Sequence, residues 1–278
     1  MIQEPKYDLH SHSYYSDGSL SPTELVLKAT ERGITHLALT DHDTLDGLGE
    51  ASRAADKLGL NFINGVELSC TWEKLLIHVV GLNVDPSNKI LQRAIKSNKQ
   101  RRESRAESMY EDLEQNDIDI RETVIRNLKG RGVPTRPHFA DALVEHGFAK
   151  DKKQAFKRYL VKGKPGYIPM LWPDLNEIAK AITSAGGVAV LAHPMRYKLT
   201  RTKLSLLIKD MVAAGVKGIE ICTASTDKQQ IKMLSDLAQK FRLVASVGSD
   251  FHSETQPWAK LGQTEPLPKE LTPVWNLF

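Results

Sequence analysis

The chain has 278 residues, 41% of them apolar and 26% charged, the proportions of a soluble globular protein rather than a disordered or fibrous one. Apolar runs such as Leu75 to Leu82 and Val188 to Ala192 fall far short of the roughly 20 residues that span a bilayer, which excludes a membrane partner. Net charge is +4, but 19 Lys+Arg face 11 Asp+Glu between Lys89 and Lys164, so this segment carries +8 and the rest −4. A solvated face and an anionic partner are the two readings of such a segment. The opening Met1-Ile2-Gln3-Glu4-Pro5-Lys6 sets acid and proline where a secretory signal needs a basic end and an apolar run, so a cytoplasmic location is expected. Cys70 and Cys222 belong to no C-x-x-C pair and are expected as buried small hydrophobes.

Short apolar runs alternate with amphipathic stretches along the chain. Tyr7-Asp8-Leu9 is followed by a helix over Pro22 to Arg32, with Ser21 as its cap and proline in its first turn. Leu37 to Leu39, a helix over Gly49 to Leu58, Phe62-Ile63 and Leu76 to Val80 come next. Past the middle of the chain the alternation resumes with Leu175 to Ala185, Val188 to Leu191, Leu204 to Ala214, Ile219 to Ile221, Lys228 to Phe241 and Leu243 to Val247. Gly33, Gly59 and Gly215 close helices. The β-α-β-α order implies an α/β fold with a parallel sheet and covering helices.

The basic segment differs in kind. One charged helix runs from Lys89 to about Asn116, shorter pieces cover Arg136–His146 and Lys152–Leu160, and the next strand is expected at Tyr167-Ile168. Residues 1–86 and 173–278 therefore read as a barrel, and 87–172 as a mainly helical insertion with edges near Pro86 and Pro173.

Of the nine histidines, six follow apolar strand-like runs: His10, His12, His42, His78, His193 and His252. Asp17, Asp41, Glu67 and Asp250 share that position. A lone histidine after a strand is more often structural, but strands of a parallel barrel all point one way, so these ten side chains converge on one face. Unpaired and desolvated they would be costly, and divalent metals remove that cost. Nitrogen and carboxylate donors without thiolate suit Zn, Mn or Fe(II), and the ligands are too many for one ion. His10-Ser11-His12 is a weak signal alone; Thr40-Asp41-His42-Asp43, Gly65-Val66-Glu67, Ala192-His193-Pro194 and Gly248-Ser249-Asp250-Phe251-His252 make it strong.

With these motifs the chain resembles the PHP (polymerase and histidinol phosphatase) family of phosphoesterases from Tyr7 to His252. The resemblance implies a distorted (β/α)7 barrel. It also implies a first metal held by His10, His12, Glu67 and Asp250, a second by bridging Glu67 with His78 and His193, and a third by Asp17, His42 and His252. Two or three divalent ions are expected, with Glu67, His193 and Asp250 central to catalysis. Many members carry histidine where this chain has Asp17; a harder carboxylate favours Mn, ahead of Fe or Zn. Asp41 is expected behind the ligands, orienting an imidazole. Ser16-Asp17-Gly18, Thr135-Arg136-Pro137-His138-Phe139, Gly163-Lys164-Pro165-Gly166-Tyr167 and Arg196-Tyr197 are similar to the bacterial 3′,5′-nucleoside bisphosphate phosphatases, a group that includes a 5′-to-3′ exoribonuclease.

Substrate contacts follow from that resemblance and from charge. Arg102 and Arg105 either belong to a solvated helix face or offer planar forks to phosphate. Arg136 and His138 flank Pro137 at a helix entrance, where anions bind, although His138 suits a capping role equally. Lys164 is either a surface turn or a phosphate contact, and Arg196 lies three residues beyond His193. His36 and His146 read as structural. The four tryptophans and seven tyrosines form no basic-aromatic stripe. The expected reaction is hydrolysis of a 3′-O–P bond in 5′-phosphorylated nucleotides. The expected partners are nucleoside 3′,5′-bisphosphates such as pAp and short single-stranded 5′-phosphorylated RNA, with no protein partner implied. A histidinol-phosphate-type phosphatase would not require an arginine-rich insertion, and a non-catalytic nucleic-acid-binding PHP domain predicts missing ligands.

Overall fold

The computed structural model describes residues 5–256 and 259–278. Met1 to Glu4, on which much of the export-signal reading rests, lie outside the described residues. Seven strands form one sheet in sequence order: β1 Tyr7–Asp8, β2 His36–Leu39, β3 Asn61–Trp72, β4 Leu75–Leu82, β5 Val188–Leu191, β6 Gly218–Thr223 and β7 Val244–Gly248. Leu9 N–H donates to Val247 O at 3.0 Å, and Ser11 bridges to Phe251, which carries β7 back to β1 and closes the barrel. Leu9, Ala38, Ile63, Val80 and Val190, one from each of five strand segments, form a cluster with Val274 that fills the interior. Below it Tyr7 stacks between Trp275 and His36, with ring centroids 3.9 and 4.2 Å away.

The expected all-parallel sheet needs one correction. β4 runs antiparallel to both β3 and β5, while the other pairings are parallel. Only Glu73 and Lys74 separate Trp72 from Leu75, too few residues for a parallel crossover. Both hold φ above zero, 45° and 67°, the requirement of a tight hairpin turn that matches strand twist. Glu67 and His78 therefore sit within their strands, not at C-terminal ends. β3 is long enough to pair with β2 through Asn64 and with β4 from Gly65 onward.

Five helices lie outside the basic segment, α1 Pro22–Glu31, α2 Leu48–Leu58 and, after the insertion, three that cover the sheet; the insertion opens with α3 Lys89–Glu114. Ser21 and Glu24 form a reciprocal capping box at α1, and the Asn88 side chain accepts from Ile90 and Leu91 N–H to start α3. The insertion continues with α4 Arg121–Leu128, α5 Arg136–Glu145 and α6 Lys152–Ala155, which opens into a wide π turn over Phe156–Leu160. These helices bury their own apolar cluster, including Met109, Leu113, Val124, Phe139, Leu143 and Leu160. Tyr167-Ile168 is not a strand. Gly166 turns there at φ 79°, and Ile168 packs on the insertion's cluster. The covering helices are α7 Leu175–Ser184, α8 Arg201–Ala213 and α9 Lys228–Phe241. Among the described residues no helix is long and apolar enough to cross a membrane.

One buried ion pair ties α3 to the barrel. Arg102 Nε and Nη2 donate to Asp43 Oδ2, each at 2.6 Å, and Nη2 also donates to Ser69 Oγ at 3.0 Å. Asp43 Oδ1 accepts from Asn98 Nδ2 at 2.6 Å and Ser69 N–H at 2.9 Å. Arg102 thus spends two of its three nitrogens on structure, which narrows the phosphate role expected for it. Removing one partner of such a pair leaves a buried charge alone, at a cost of about 3–5 kcal/mol. Asp43→Ala should lose that much stability in denaturant unfolding, and Asp43→Ala/Arg102→Ala should lose less than the two single changes summed.

Candidate metal centre

The segments that bear the site residues are knit to one another by backbone hydrogen bonds. Asp250 N–H donates to His10 O at 2.8 Å, Thr40 N–H to Ser11 O at 2.9 Å, Asp43 N–H to Glu67 O at 2.9 Å, and Ala192 N–H to His78 O at 3.2 Å. Each strand end is thereby fixed to its neighbour. The fit is close at Gly248, where a Cβ would come within 2.3 Å of His10 Cβ. Asp43, His193 and Asp250 hold left-handed φ values of 51°, 29° and 51°, conformations that cost non-glycine residues about 1–3 kcal/mol each.

At the centre is the fully buried Glu67 carboxylate. Its Oε2 lies 3.2 Å from His10 Nε2, 3.3 Å from His12 Nε2 and 2.9 Å from His42 Nδ1. Its Oε1 lies 2.8 Å from His78 Nδ1 and 2.9 Å from His193 Nε2. The two oxygens face different imidazole sets, as a bridging ligand requires. Three groups among the described residues have ligand atoms mutually within 4.8 Å: His10, His12, Glu67 and Asp250; His12, Asp17, His42 and His252; and His42, Glu67 and His78. These groups hold eight of the nine residues expected as ligands; the ninth, His193, stands outside them but within 2.9 Å of Glu67 Oε1.

Their electrostatics favour cations. Burial alone would raise the Glu67 carboxyl, but His42 and His78 outweigh it and hold it well below the ordinary range. Asp17 is held down likewise by His42 and His252, and Asp250 by Arg196 and His10, each against its own burial. Burial lowers His12 to about 3 and His78 to about 4, so both imidazoles are neutral. His252 goes the other way: the charges of Asp17 and Asp250 overcome burial and lift it to about 9.

The donors fit divalent metal. His10 Nε2 and His12 Nε2 are only 3.1 Å apart. Two nitrogens each bound at ~2.0–2.1 Å to one ion lie roughly 3 Å apart. Glu67 Oε2 and His42 Nδ1 are buried with no hydrogen-bond geometry to any partner, and a metal ion would satisfy both.

Supporting groups are partly unexpected. His10 Nδ1 is 2.7 Å from Glu220 Oε1, while Glu220 Oε2 accepts from His193 N–H at 2.5 Å. Glu220 thus orients two site residues, a role typical of carboxylates behind metal-binding histidines. Its sequence signal was a carboxylate inside the apolar Ile219-Glu220-Ile221. Asp41 does not orient an imidazole. It accepts from Ser13 N–H and Oγ and from Ser16 Oγ at 2.6–2.7 Å, and Ser16 Oγ in turn is 3.5 Å from His12 Nδ1. Asp8 accepts from Ser249 N–H at 2.8 Å and Gly262 N–H at 2.7 Å, fixing the turn before Asp250.

The basic residues divide. Arg105 and Arg136 line a pocket of about 60 Å³ with Trp172, opening on Asp17, His42 and His78. Neither has an ion-pair partner among the described residues. Burial, then the nearby Arg102 and Arg136, lower Arg105 to about 9. His138 Nδ1 accepts from Thr135 N–H at 3.0 Å and so caps α5, while its ring borders a second, larger cleft. Arg196 is ion-paired with Asp250 at the mouth of that cleft. Lys164 stands exposed on its turn and lines neither space. Cys70 and Cys222 are buried thiols.

The PHP domain family model matches residues 8–165, more than half of the chain. The chain belongs to the PHP domain family. It is 42% identical to a 5′-3′ exoribonuclease of Haemophilus influenzae, over 98% of this chain and 99% of the relative. It is 41% identical to a 3′,5′-nucleoside bisphosphate phosphatase of Chromobacterium violaceum, over 97% and 95%. Among solved structures, an amidohydrolase of C. violaceum with bound sulfate and no metal superposes with a TM-score of 0.92 at 41% identity, covering 97% of this chain and 94% of that one. A metal-dependent phosphoesterase of Bifidobacterium adolescentis gives 0.82 at 30% identity, covering 99% and 95%.

Two expectations follow for this PHP centre. Glu67→Ala should lose bound metal, measured by elemental analysis, because both of its oxygens serve the cluster; retention of the full wild-type content would refute bridging. Metal binding should also release protons. His252 at about 9 is protonated at neutral pH and must lose its proton to coordinate, whereas His12 and His78 are already neutral. Affinity should therefore rise with pH up to about 9. Calorimetry at pH 7 in buffers of different ionisation enthalpy should count at least one proton released.

Proposed function

We propose that this PHP protein is a metal-dependent phosphoesterase that hydrolyses the 3′-O–P bond of 5′-phosphorylated nucleotides. Its substrates on this reading are nucleoside 3′,5′-bisphosphates, with pAp giving AMP and phosphate, and short 5′-phosphorylated RNA shortened from the 5′ end. The observation that carries it is the pair of guanidiniums without an ion-pair partner among the described residues, buried Arg105 and half-buried Arg136, beside the histidine and carboxylate cluster. A buried cation without a partner is costly, and a phosphate dianion supplies one with charge-assisted, bidentate geometry. The names of the H. influenzae and C. violaceum relatives support the same substrates.

His10, His12, Glu67 and Asp250 would hold one ion, Glu67, His78 and His193 a second, and Asp17, His42 and His252 a third. The Asp17 carboxylate favours manganese, ahead of iron or zinc. When bound, such ions supply positive charge to phosphoryl oxygens and lower the pKa of water. The protein's own groups do the positioning. Arg105 and Arg136 grip the 5′-phosphate, which sets the phosphorus on the 3′-oxygen over the cluster, and Glu220 keeps His10 and His193 in their orientations. Arg196, held by Asp250, borders the leaving side, and the helical unit 87–172 acts as a lid. Two substrates share this arrangement because a 3′-phosphomonoester and the first internucleotide diester present the same 3′-O–P bond. A histidinol-phosphate substrate leaves the two arginines without a function, and a non-catalytic role leaves the complete ligand set without one.

Arg136→Ala should raise KM for a 5′-phosphorylated substrate roughly 10- to 150-fold, the worth of one charged hydrogen bond, with little change on a substrate lacking that phosphate. Steady-state kinetics in manganese on pAp and on a nucleoside 3′-monophosphate separate the two. Equal losses would assign Arg136 to structure instead.

A further inference from the structure

The larger cleft, about 1210 Å³, opens from Asp17, Arg196 and His252 and adjoins the arginine pocket at Asp17 and Pro137. Small-ligand pockets run roughly 300–1,000 Å³, so it has room beyond one mononucleotide. Its charges are uneven. Lys152 is paired with Asp141 at 2.8 Å, and the Asp151 carboxylate is turned to Gln154 N–H at 2.7 Å. Lys129, Arg131 and Lys153 line the cleft with no ion-pair partner among the described residues. Two aromatic faces accompany them. Arg131 lies 4.2 Å over the Tyr14 ring, making a planar cation-π platform. Phe156 enters from the insertion on the first residue of the π turn, a backbone form that occurs mostly at functional sites.

The Tyr14 loop and the 129–156 segment are far apart in sequence, so no basic-aromatic stripe shows there; the fold assembles one. Unpaired cations that track a backbone, alternating with stackable rings, are the means by which proteins hold single-stranded nucleic acid.

We propose that this cleft is a track for the nucleotides on the 3′ side of the scissile phosphate, holding single-stranded RNA through Lys129, Arg131 and Lys153 on phosphates and through Tyr14 and Phe156 on bases. The inference rests on the function proposed above. The 60 Å³ pocket ends the path at the 5′-phosphate, so the chain can lie in one polarity only, and longer RNA gains contacts that pAp does not make.

The test compares pAp with 5′-phosphorylated RNA of two and six residues in manganese, alongside anisotropy of a labelled hexamer. Wild-type protein should process the hexamer with higher kcat/KM than the dimer. Phe156→Ala should lower the hexamer value about 5- to 150-fold, the size of one lost base stack, while pAp hydrolysis stays within about twofold. The variant Lys129→Ala/Arg131→Ala/Lys153→Ala should reduce the slope of log affinity against log salt for the hexamer by about 2, since each phosphate contact on a single strand contributes ~0.7. Equal wild-type values for dimer and hexamer, an unchanged salt slope, or parallel losses on pAp would each overturn the track. A wild-type protein inert on pAp but binding hexamer with this salt slope would overturn the proposed function and leave the track standing.

Discussion

Five imidazoles crowd the single, fully buried carboxylate of Glu67, three on one oxygen and two on the other. A buried carboxylate and buried imidazoles are each unfavourable, and their attraction offsets the desolvation only where geometry is tight. The surrounding structure is arranged to hold that geometry. Backbone hydrogen bonds run from one ligand-bearing segment to the next, Gly248 lets β7 approach β1 closely, and three non-glycine residues accept left-handed φ at the rim. Strain of this kind persists only where its surroundings over-determine it. Here the surroundings are a closed barrel.

The reversed strand serves the same centre. An all-parallel barrel presents strand C-termini only, so each strand contributes at its end. Folding β3 back through Glu73-Lys74 instead puts Glu67 and His78 inside a hairpin, where backbone pairing on both sides limits their movement. The hairpin tip is anchored in turn, with Trp72 Nε1 donating to Asp210 Oδ2 at 2.8 Å on α8. Asp43 and Ser69, on the β2 and β3 sides of this unit, receive the long insertion helix through Asn98 and Arg102. Metal cluster and insertion are consequently set by one hairpin.

Much of this was legible in the residues. The seven apolar runs became seven strands, because buried strands need only short β-branched or aliphatic stretches bounded by turns. The nine ligand candidates came together, seven of them at or just past strand ends and Glu67 and His78 from inside the β3–β4 hairpin. The direction of β4 was not read, since periodicity is blind to direction; the two-residue gap between Trp72 and Leu75 was the signal, being too short for any crossover. Glu220 was passed over as part of a strand, though a lone carboxylate between isoleucines has to find a partner. Arg102 and Arg105 looked alike, three residues apart on one helix. Only the fold shows that Asp43 takes the first and that, among the described residues, no carboxylate pairs with the second.

That division explains what the +8 insertion is for. A surface of paired lysines would add solubility and little else, and exposed pairs contribute ~0–1 kcal/mol. Arg105 and Arg136 have no ion-paired carboxylate among the described residues, and burial, then the nearby charges of Arg102 and Arg136, lower Arg105 to about 9. Beside them lies a carboxylate and imidazole set with buried atoms that no protein donor satisfies. Among the described residues the two arginines have no ion-paired anion and the cluster keeps buried donor atoms without a partner, and the two adjoin at Asp17 and His42. On the proposed function, a ligand carrying two phosphates a nucleoside apart would meet both needs: one phosphate would neutralise the arginines and the other would face the histidine and carboxylate cluster. A ligand with a single phosphate leaves one of the two sets uncompensated. On that reading discrimination would come from the penalty of leaving one half unfilled, because a site built for a charged group is left unpaired by a ligand that lacks it.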